Sequence, residues 1–203
     1  MNSRDDVVNA ARSLFSRNLT HGSTGNISVR VDGGLLITPT GSSLGTVQPE
    51  DLSLIGLGGE HIDGPKPSKE AFLHAAVLRA RPLDTAVIHT HSTHSAAVSC
   101  LAGLDPEDAI PPLTAYFAMR IGRLPLLPYH APGDNSLGRL AENTARNHRA
   151  LLLSNHGPVV AGTSLTSAMD ALEELEETAK LFLLLHGHSV SPLSRAQADS
   201  LTP

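Results

Sequence analysis

The first third of the chain alternates short apolar segments with tight turns, and this pattern limits the folds that the chain can adopt. Residues Ile27–Val31 and Leu35–Thr38 are separated only by a glycine-containing turn, so they predict a β-hairpin. A third strand is predicted between Leu52 and Leu57. Because a hairpin comes first and helices follow among further strands, we expect a mixed or antiparallel sheet with helices on its faces. A Rossmann fold is not expected.

Helices are predicted where apolar residues recur at three- and four-residue spacing. They span about Arg4 to Leu19, Ser68 to Pro82, Ser92 to Leu101, Ser136 to Asn147, and a long segment that starts at Ser164. Ser68 is the expected N-cap of the second helix. In the last helix, the glutamates are expected mainly on the solvent side: Glu173, Glu174, Glu176 and Glu177.

The remaining segments predict short strands and irregular structure. Further strands are expected at Leu151–Leu153 and Val159–Ala161, and the proline-rich segment from Asp105 to Pro132 is expected to be irregular, with short strands around Arg120 to Leu127. No linker or internal repeat divides the chain. We therefore expect one domain over residues 1–203, with residues 189–203 forming a flexible or short arm.

Composition excludes several classes of protein. The chain has 203 residues, of which 17% are charged and 40% hydrophobic, so it can bury a core. A net charge of −5 argues against a nucleic-acid or anionic membrane surface as partner. A single cysteine, Cys100, excludes an intrachain disulfide, and no segment resembles a membrane span or signal peptide. A cytoplasmic protein without membrane or nucleic-acid partners is expected.

Three histidines form the most informative group of polar residues. His89 and His91 are two apart in an apolar run that predicts a strand, which would direct both imidazoles to one face. His156 follows another apolar segment and precedes Gly157. Imidazoles on rigid elements can bind a divalent metal, so we predict a three-histidine metal site. The other eight histidines lack such a setting and are expected not to be ligands: His21, His61, His74, His94, His130, His148, His186 and His188.

Glu70 and Lys69 lie at the predicted start of a helix, where two interpretations are open. Glu70 could complement the helix dipole, or it could ligate the metal and move protons. Lys69 could be a surface charge or could hold an anionic group. Three polar turns could bind phosphate through backbone N–H groups, although each alone is ordinary turn chemistry: Gly25-Asn26, Thr40-Gly41 and Ser68-Lys69.

Five motifs together resemble the class II aldolase/adducin family in order and spacing. They are Gly22–Ser28, Ile37–Gly41, Pro67–Glu70, His89–His91 and Asn155–Gly157. The resemblance extends from about residue 5 to residue 186. It implies an α/β fold, with a three-layer α/β/α domain around a central, mainly antiparallel sheet. It also implies a cyclic homotetramer with active sites near subunit interfaces.

The resemblance also assigns roles to residues. Zinc, one ion per subunit and replaceable by Co²⁺ or Mn²⁺, would be bound by His89, His91 and His156, with Glu70 as fourth ligand or proton carrier. The residues that would line the phosphate pocket are Gly25, Asn26, Thr40, Gly41, Ser68 and Lys69. Tyr116 and Arg120 could contribute across a subunit interface, or they could be ordinary surface residues.

One departure points to a branch of the family. Its sugar-phosphate aldolases typically read Pro-Ser-Ser-Glu where this chain has Pro67–Glu70 with a lysine in third place. Together with Thr40–Gly45, Tyr116–Arg120, Asn155–Val160 and Glu173–Lys180, this lysine resembles members that decarboxylate 3-oxo-tetronate 4-phosphates in four-carbon sugar-acid catabolism. The implied reaction yields CO2 and dihydroxyacetone phosphate through a zinc-bound enediolate. Glu70 would deliver the proton and Lys69 would help to hold the substrate.

Two alternatives stay open. Within the family, the chain could be an aldolase or epimerase acting on a ketose phosphate such as fuculose 1-phosphate. In another class, it could be a non-catalytic, adducin-like binding module. The three histidines and Glu70 argue against the second alternative, because a binding module has no need of them.

Overall fold

The computed structural model describes residues 4–201 as an eight-stranded sheet with helices packed on both faces. The strands are β1 (Asn26–Val31), β2 (Gly34–Ile37), β3 (Ser53–Ile55), β4 (His61–Asp63), β5 (Ala86–His89), β6 (Leu126–Leu127), β7 (Ala150–Leu153) and β8 (Gly157–Gly162). Their order in the sheet is β4-β3-β2-β1-β5-β8-β7-β6. All neighbouring strands are antiparallel except β6 and β7, which are parallel. The predicted mainly antiparallel sheet is confirmed.

Seven α-helices are described, together with a short 3-10 helix at Pro49–Asp51. They are α1 (Arg4–Ser16), α2 (Ala71–Ala80), α3 (Thr93–Ser99), α4 (Ala115–Arg120), α5 (Ser136–Ala145), α6 (Leu165–Leu184) and α7 (Arg195–Asp199). One apolar core joins α1, α3, α4 and α6 to one face of the sheet, and a second joins α2 and α5 to the other. The fold therefore has the expected α/β/α layers. Among residues 4–201, no helix is both long and apolar enough to cross a bilayer.

Side-chain alternation along β1 and β5 decides which polar groups face α2. In β5, Ile88 belongs to the core under α6, whereas Val87 belongs to the core under α2. Successive strand residues point to opposite faces, so His89 shares the α2 side with Val87. By the same alternation, Asn26 and Ser28 of β1 lie on the α2 side, and Asn26 pairs with His89 in the sheet register. This alternation directs polar side chains from two adjacent strands toward one helix.

Two predicted boundaries near this region are wrong. Helix α2 begins at Ala71 with Glu70 as its N-cap, so Ser68 is not the cap. The backbone N–H of Ser68 instead donates to the carbonyl of Thr38, which holds it in extended pairing with the loop after β2. Strand β5 ends at His89, so His91 lies in the connection to α3 rather than on the strand.

Two further differences concern the second half of the chain. Helix α4 lies in the segment expected to be irregular, and Thr114 caps it by accepting a hydrogen bond of 3.0 Å from Phe117 N–H. The C-terminal segment contains α7, whose Arg195 forms an ion pair of 2.8 Å with Asp108. The ends of the predicted domain, residues 1–3 and 202–203, lie outside the described residues.

Candidate active site

The three predicted histidines meet at the end of β5, where β8 begins. Nε2 of His156 lies 2.9 Å from Nε2 of His91 and 3.3 Å from Nε2 of His89. The three rings are mutually edge-on, with centroids 4.6 to 5.1 Å apart. Three imidazole nitrogens that converge in this way can act together as ligands of one metal ion. The prediction that these histidines form one cluster is confirmed.

Hydrogen bonds to the backbone orient two of these rings. Nδ1 of His89 lies 2.8 Å from the carbonyl oxygen of Pro158, so this nitrogen carries the proton and donates it. In the neutral ring the lone pair is then on Nε2, which faces His156 Nε2. The backbone N–H of His156 donates to Ser99 Oγ at 3.1 Å, and this bond ties the third histidine to α3. A hydrogen bond on the side of the residue away from the ligand nitrogen fixes the orientation of the ring, which favours metal binding.

The environment keeps the rings of His91 and His156 neutral. Burial and the proximity of His89 lower the pKa of His91 to about 4, and His156 adds to the decrease. Burial and His89 likewise lower the pKa of His156 to about 4, although Glu70 acts in the opposite direction. Neutral imidazole is the form that ligates a metal, so His91 and His156 present donors rather than cations at neutral pH.

Close backbone packing explains two glycines of the motifs. Gly25 has φ of +78°, and a Cβ there would lie 2.9 Å from the carbonyl oxygen of His89. A Cβ on Gly157 would lie 2.3 Å from the carbonyl oxygen of Thr90. Both positions require glycine because neighbouring backbone approaches from the side where a side chain would stand. These glycines allow the loop before β1 and the start of β8 to pack closely against residues His89–His91, the histidine segment.

Glu70 faces the histidines from the N-terminus of α2. Its carboxylate oxygens lie 3.4 Å from Nε2 of His89 and 3.4 Å from Nε2 of His156. Oε2 also accepts a 2.8 Å hydrogen bond from the side-chain amide of Asn26. Burial alone would raise the pKa of Glu70, but His89, the Asn26 bond, His156 and His74 together lower it to about 2. The site therefore holds a buried carboxylate in its charged form.

The donor set fits a zinc ion. Zn–N distances of about 2.0–2.1 Å in a tetrahedral site place two ligand nitrogens roughly 3.3 Å apart, and the histidine separations are close to this value. Glu70 lies at a similar separation and could complete the tetrahedron. Nitrogen and carboxylate donors accept Co²⁺ and Mn²⁺ as well, so the donors indicate a divalent metal without selecting one.

The predicted phosphate turns open onto the same cavity. It has a volume of about 270 Å³ and is lined by Ser23, Thr24, Gly25, Asn26, Pro39, Thr40, Gly41, Ser68, Lys69, Glu70, His91, Pro132 and His156. Backbone pairing brings two of the turns together, because Thr40 N–H donates to the carbonyl of Lys66 and Ser68 N–H donates to that of Thr38. All six residues expected to bind phosphate thus line one cavity beside the histidines.

Lys69 lies at the exposed side of this cavity. No ion pair to a carboxylate is found for it within residues 4–201. Its ammonium group is therefore available to an anionic ligand, and it is the one lysine in the cavity lining. A compact ammonium on a flexible stem can follow a phosphate or carboxylate without imposing a fixed geometry.

A larger cavity, of about 470 Å³, lies among Arg81, Arg123, Arg149 and Arg195. It shares no residue with the histidine cluster or the predicted phosphate turns. Tyr116 and Arg120 are also absent from the histidine cavity: Tyr116 is 61% exposed and Arg120 pairs with Asp170 at 2.9 Å. The metal donors, rather than cavity size, identify the candidate active site.

Two polar residues near the site were not expected from the sequence. His74 on α2 is fully buried and contacts both Asn26 and Ser28, although the residues next to it in sequence give no indication of a polar site. Glu176 was expected at the solvent side of α6 but is only 5% exposed, because its carboxylate binds the start of α3. The signal for His74 is its position four residues after Glu70, which places both on one side of α2. The sequence carries no such signal for Glu176.

Comparisons with known proteins agree with this site. The family described as Class II Aldolase and Adducin N-terminal domain matches residues 5–183. A 3-oxo-tetronate 4-phosphate decarboxylase from Pectobacterium atrosepticum is 47% identical over 192 residues, which cover 94% of this chain and 88% of that protein. The chain therefore belongs to the class II aldolase/adducin family.

Two solved structures extend the comparison to the fold. YgbL from Klebsiella pneumoniae has a TM-score of 0.94 at 45% identity, covering 98% of this chain and 96% of its own. An L-fuculose 1-phosphate aldolase has a TM-score of 0.89 at 25% identity, covering 98% and 93% of the two chains. The fold expected from the family resemblance is confirmed, and a histidine site that could hold a metal is in place.

Proposed function

We propose that this protein is a metal-dependent decarboxylase that converts 3-oxo-tetronate 4-phosphate to dihydroxyacetone phosphate and CO2. The observation that carries the proposal is a single cavity, lined by Glu70, Lys69 and two members of the three-histidine cluster, His91 and His156. The decarboxylase from Pectobacterium atrosepticum, 47% identical, supports the choice of reaction within the family. The reaction would belong to the catabolism of four-carbon sugar acids.

The metal site would consist of His89, His91 and His156, with Glu70 as the fourth ligand before substrate binds. We propose one Zn²⁺ per subunit, with Co²⁺ or Mn²⁺ as substitutes. When bound, the ion would act as a Lewis acid that polarises the substrate carbonyl oxygen. The arrangement of the three imidazoles supports this assignment, because their nitrogens converge on one point and the rings of His91 and His156 are neutral.

The phosphate group of the substrate would occupy the polar side of the cavity. The proposed binding residues are Gly25, Asn26, Thr40, Gly41, Ser68 and Lys69. Turns of this kind present backbone N–H groups and short side-chain donors to an anion. Their proximity to the histidines supports a substrate that spans both regions, with its phosphate in the turns and its carbonyl group beside the metal donors.

The chemistry requires breakage of one carbon–carbon bond and delivery of one proton. In the substrate, the C3 carbonyl group is β to the C1 carboxylate, so the electron pair of the C1–C2 bond can move into C2–C3 as CO2 departs. Protonation of the resulting enediolate at C2 gives dihydroxyacetone phosphate. Glu70 is the proposed proton carrier, since its carboxylate faces both the histidines and the cavity.

Lys69 is proposed to hold the anionic substrate. It should not remain tightly paired with the departing carboxylate, because such a pair would stabilise the ground state more than the transition state. Electrostatic attraction to the phosphate group satisfies this condition. An exposed lysine without a carboxylate partner is suited to this task.

The assembly proposed for the protein is a cyclic homotetramer in the cytoplasm, with active sites near subunit interfaces. An exposed apolar surface on α4, which includes Tyr116 and Met119, supports contact with another copy. Light scattering of the purified protein in solution tests this assembly, and a monomer would contradict it.

A second candidate within the family is an aldolase acting on a ketose phosphate. An L-fuculose phosphate aldolase from Haemophilus influenzae is 30% identical and covers 94% of this chain, which favours this alternative over an epimerase or a binding module. An aldolase that cleaves a ketose 1-phosphate produces the same enediolate by releasing an aldehyde. The same metal donors, phosphate turns and proton carrier would serve both reactions.

Product analysis separates the two candidates. Zinc-loaded protein is incubated with 3-oxo-tetronate 4-phosphate or fuculose 1-phosphate, and CO2 and dihydroxyacetone phosphate are measured in each case. Equal amounts of both products from the oxo-acid, lost when the metal is chelated and restored by zinc, are expected. Dihydroxyacetone phosphate from the sugar phosphate alone would favour the aldolase.

A further inference from the structure

His74 is a buried histidine that the proposed reaction does not use. It lies on α2, one turn after Glu70, and its side chain is fully buried. Its Nδ1 lies 2.8 Å from Ser28 Oγ, and its Nε2 is hydrogen-bonded to Asn26 Oδ1. Asn26 in turn donates its amide to Glu70. A continuous line of hydrogen bonds therefore runs from Ser28 to Glu70.

Donor and acceptor can be assigned for each hydrogen bond between Ser28 and Glu70, and all of them point toward Glu70. Burial, with His89 as the next cause, lowers the pKa of His74 to about 3, so its ring is neutral and carries one N–H. Asn26 must turn its amide N–H toward Glu70, since its carbonyl oxygen would repel the carboxylate. The Asn26 carbonyl then faces His74, which must donate from Nε2 and accept the Ser28 hydroxyl at Nδ1.

We propose that His74 is a positioning residue that acts through Asn26, holding the Asn26 amide in the orientation that binds the Glu70 carboxylate. The inference rests on the proposed function only in assigning proton transfer to Glu70. Without a donor at His74, the Asn26 carbonyl oxygen is left unpaired in a buried site, and the amide can rotate away from Glu70 to find another donor. The carboxylate would then lose its one protein hydrogen bond from a side chain and would move relative to the histidines.

A double-mutant cycle between His74 and Asn26 tests the proposal. The variants are His74→Leu, His74→Gln, Asn26→Ala and the combination of His74→Leu with Asn26→Ala. Replacing residues behind a metal site typically lowers activity about 10- to 100-fold, so we expect His74→Leu to lower kcat by that factor with KM nearly unchanged. His74→Gln retains an N–H donor and should recover part of the activity.

The decisive result is the effect of His74→Leu when Asn26 is already alanine. If His74 acts through Asn26, its replacement then changes kcat less than twofold, since no amide remains to be oriented. Multiplicative losses in the double variant would overturn the proposal, because they would mean that the two residues act independently. Wild-type kcat in His74→Leu would overturn it as well.

A matched pair of serine variants tests the proposal even if His74→Leu does not fold. Ser28 and Ser53 are both fully buried, and each donates one hydrogen bond through its hydroxyl, to His74 and to the carbonyl of Pro65 respectively. Ser28→Ala should lower kcat several-fold because the ring can change tautomer, whereas Ser53→Ala should affect only stability. Equal kcat in the two variants would contradict the proposal.

Visible absorption of the Co²⁺-loaded protein separates failure of this inference from failure of the proposed function. The spectrum needs no substrate and responds to the position of Glu70 near the ion. We expect His74→Leu to alter the spectrum in the same direction as Glu70→Gln, and Ser53→Ala to leave it unchanged. If neither substrate is turned over, an unaltered His74→Leu spectrum overturns the proposal.

Discussion

Two buried glutamates, Glu70 and Glu176, lie on opposite sides of the histidine segment and differ in how their carboxylates are satisfied. Glu176 accepts from the backbone N–H groups of His94 and Ser95, from the Ser95 hydroxyl and from the His94 ring, at 2.7 to 2.9 Å. Glu70 accepts one side-chain hydrogen bond, from Asn26, and otherwise faces the histidines. Both have a lowered pKa, but through different partners.

The partners explain what each carboxylate can do. Burial acts to raise the pKa of Glu176, but hydrogen bonds from Ser95 and His94 outweigh it, and those donors are fixed at the start of α3. A carboxylate with its oxygens occupied by fixed donors stabilises structure and has little capacity for another ligand. The lowered pKa of Glu70, in contrast, depends chiefly on nearby histidines that could themselves bind a metal. It therefore has lone pairs available for a metal or a proton.

The largest expected effect is the loss of activity in Glu70→Gln. The amide cannot carry the proton, so we predict that kcat falls by about 10²- to 10⁴-fold. The three histidines should still retain bound zinc, as measured by metal analysis of the purified protein. Glu176→Gln is the matched control, since it makes the same chemical change at the other buried carboxylate. A Glu70→Gln variant with wild-type kcat would remove the proposed difference between the two glutamates.

Glu176→Gln should instead lower stability. The new amide NH2 would face N–H donors of α3 in place of an acceptor, and we expect a loss of about 1–3 kcal/mol in the free energy of unfolding. Denaturant titration measures this loss. Turnover per folded, zinc-loaded molecule should stay within about twofold of wild type. A variant of full stability with strongly reduced kcat would indicate that Glu176 acts in catalysis.

The stability difference between wild type and Glu176→Gln should depend on pH. The folded-state pKa of Glu176 is lowered, so its contribution is fully present above the unfolded-state pKa of about 4.3 and is lost as pH falls through the folded-state value. The two proteins should therefore differ most near neutral pH and converge in acid. Urea titrations from pH 7 to pH 3 test this prediction. A difference in the free energy of unfolding that grows as the pH falls would contradict it.

The smallest expected effect is that of Lys69→Ser. An exposed charge contributes little, so we predict a roughly two- to fivefold rise in KM for the oxo-acid. Raising the ionic strength should reduce the difference from wild type. Lys66→Ser is the matched control, because Lys66 is also exposed but is absent from the cavity lining. Unchanged kinetics in Lys69→Ser would remove Lys69 from the proposed mechanism.

Local patterns were sufficient to predict much of the site. His89 ends an apolar strand, His91 and His156 follow apolar strands, and the phosphate turns are short motifs whose residues are adjacent in sequence. The predicted strand for His91 is wrong, but the histidines still meet, because the cluster depends on the strand ends rather than on alternation within one strand. Because a hairpin comes first in the chain and helices follow among later strands, the antiparallel sheet could also be predicted.

The two buried polar networks could not be predicted, because they depend on packing between distant elements. Glu176 lies in a run of glutamates on α6, and only contact with α3, about 80 residues earlier, distinguishes it from its neighbours. His74 lies on an apolar helix and meets β1 through Asn26 and Ser28, more than 40 residues away in sequence. The Glu176 contact leaves no local pattern in the sequence, and the local signal for His74, its position four residues after Glu70, does not indicate its partners on β1.

The measurement that tests the central claim most directly is the reaction of zinc-loaded protein with 3-oxo-tetronate 4-phosphate in D2O, followed at early times by NMR. If Glu70 delivers a proton from one side to an enediolate, each CO2 should accompany one dihydroxyacetone phosphate. That product should carry a single deuterium at the former C2, in one configuration. Product without deuterium, deuterium in both configurations, or the absence of CO2 would contradict the account.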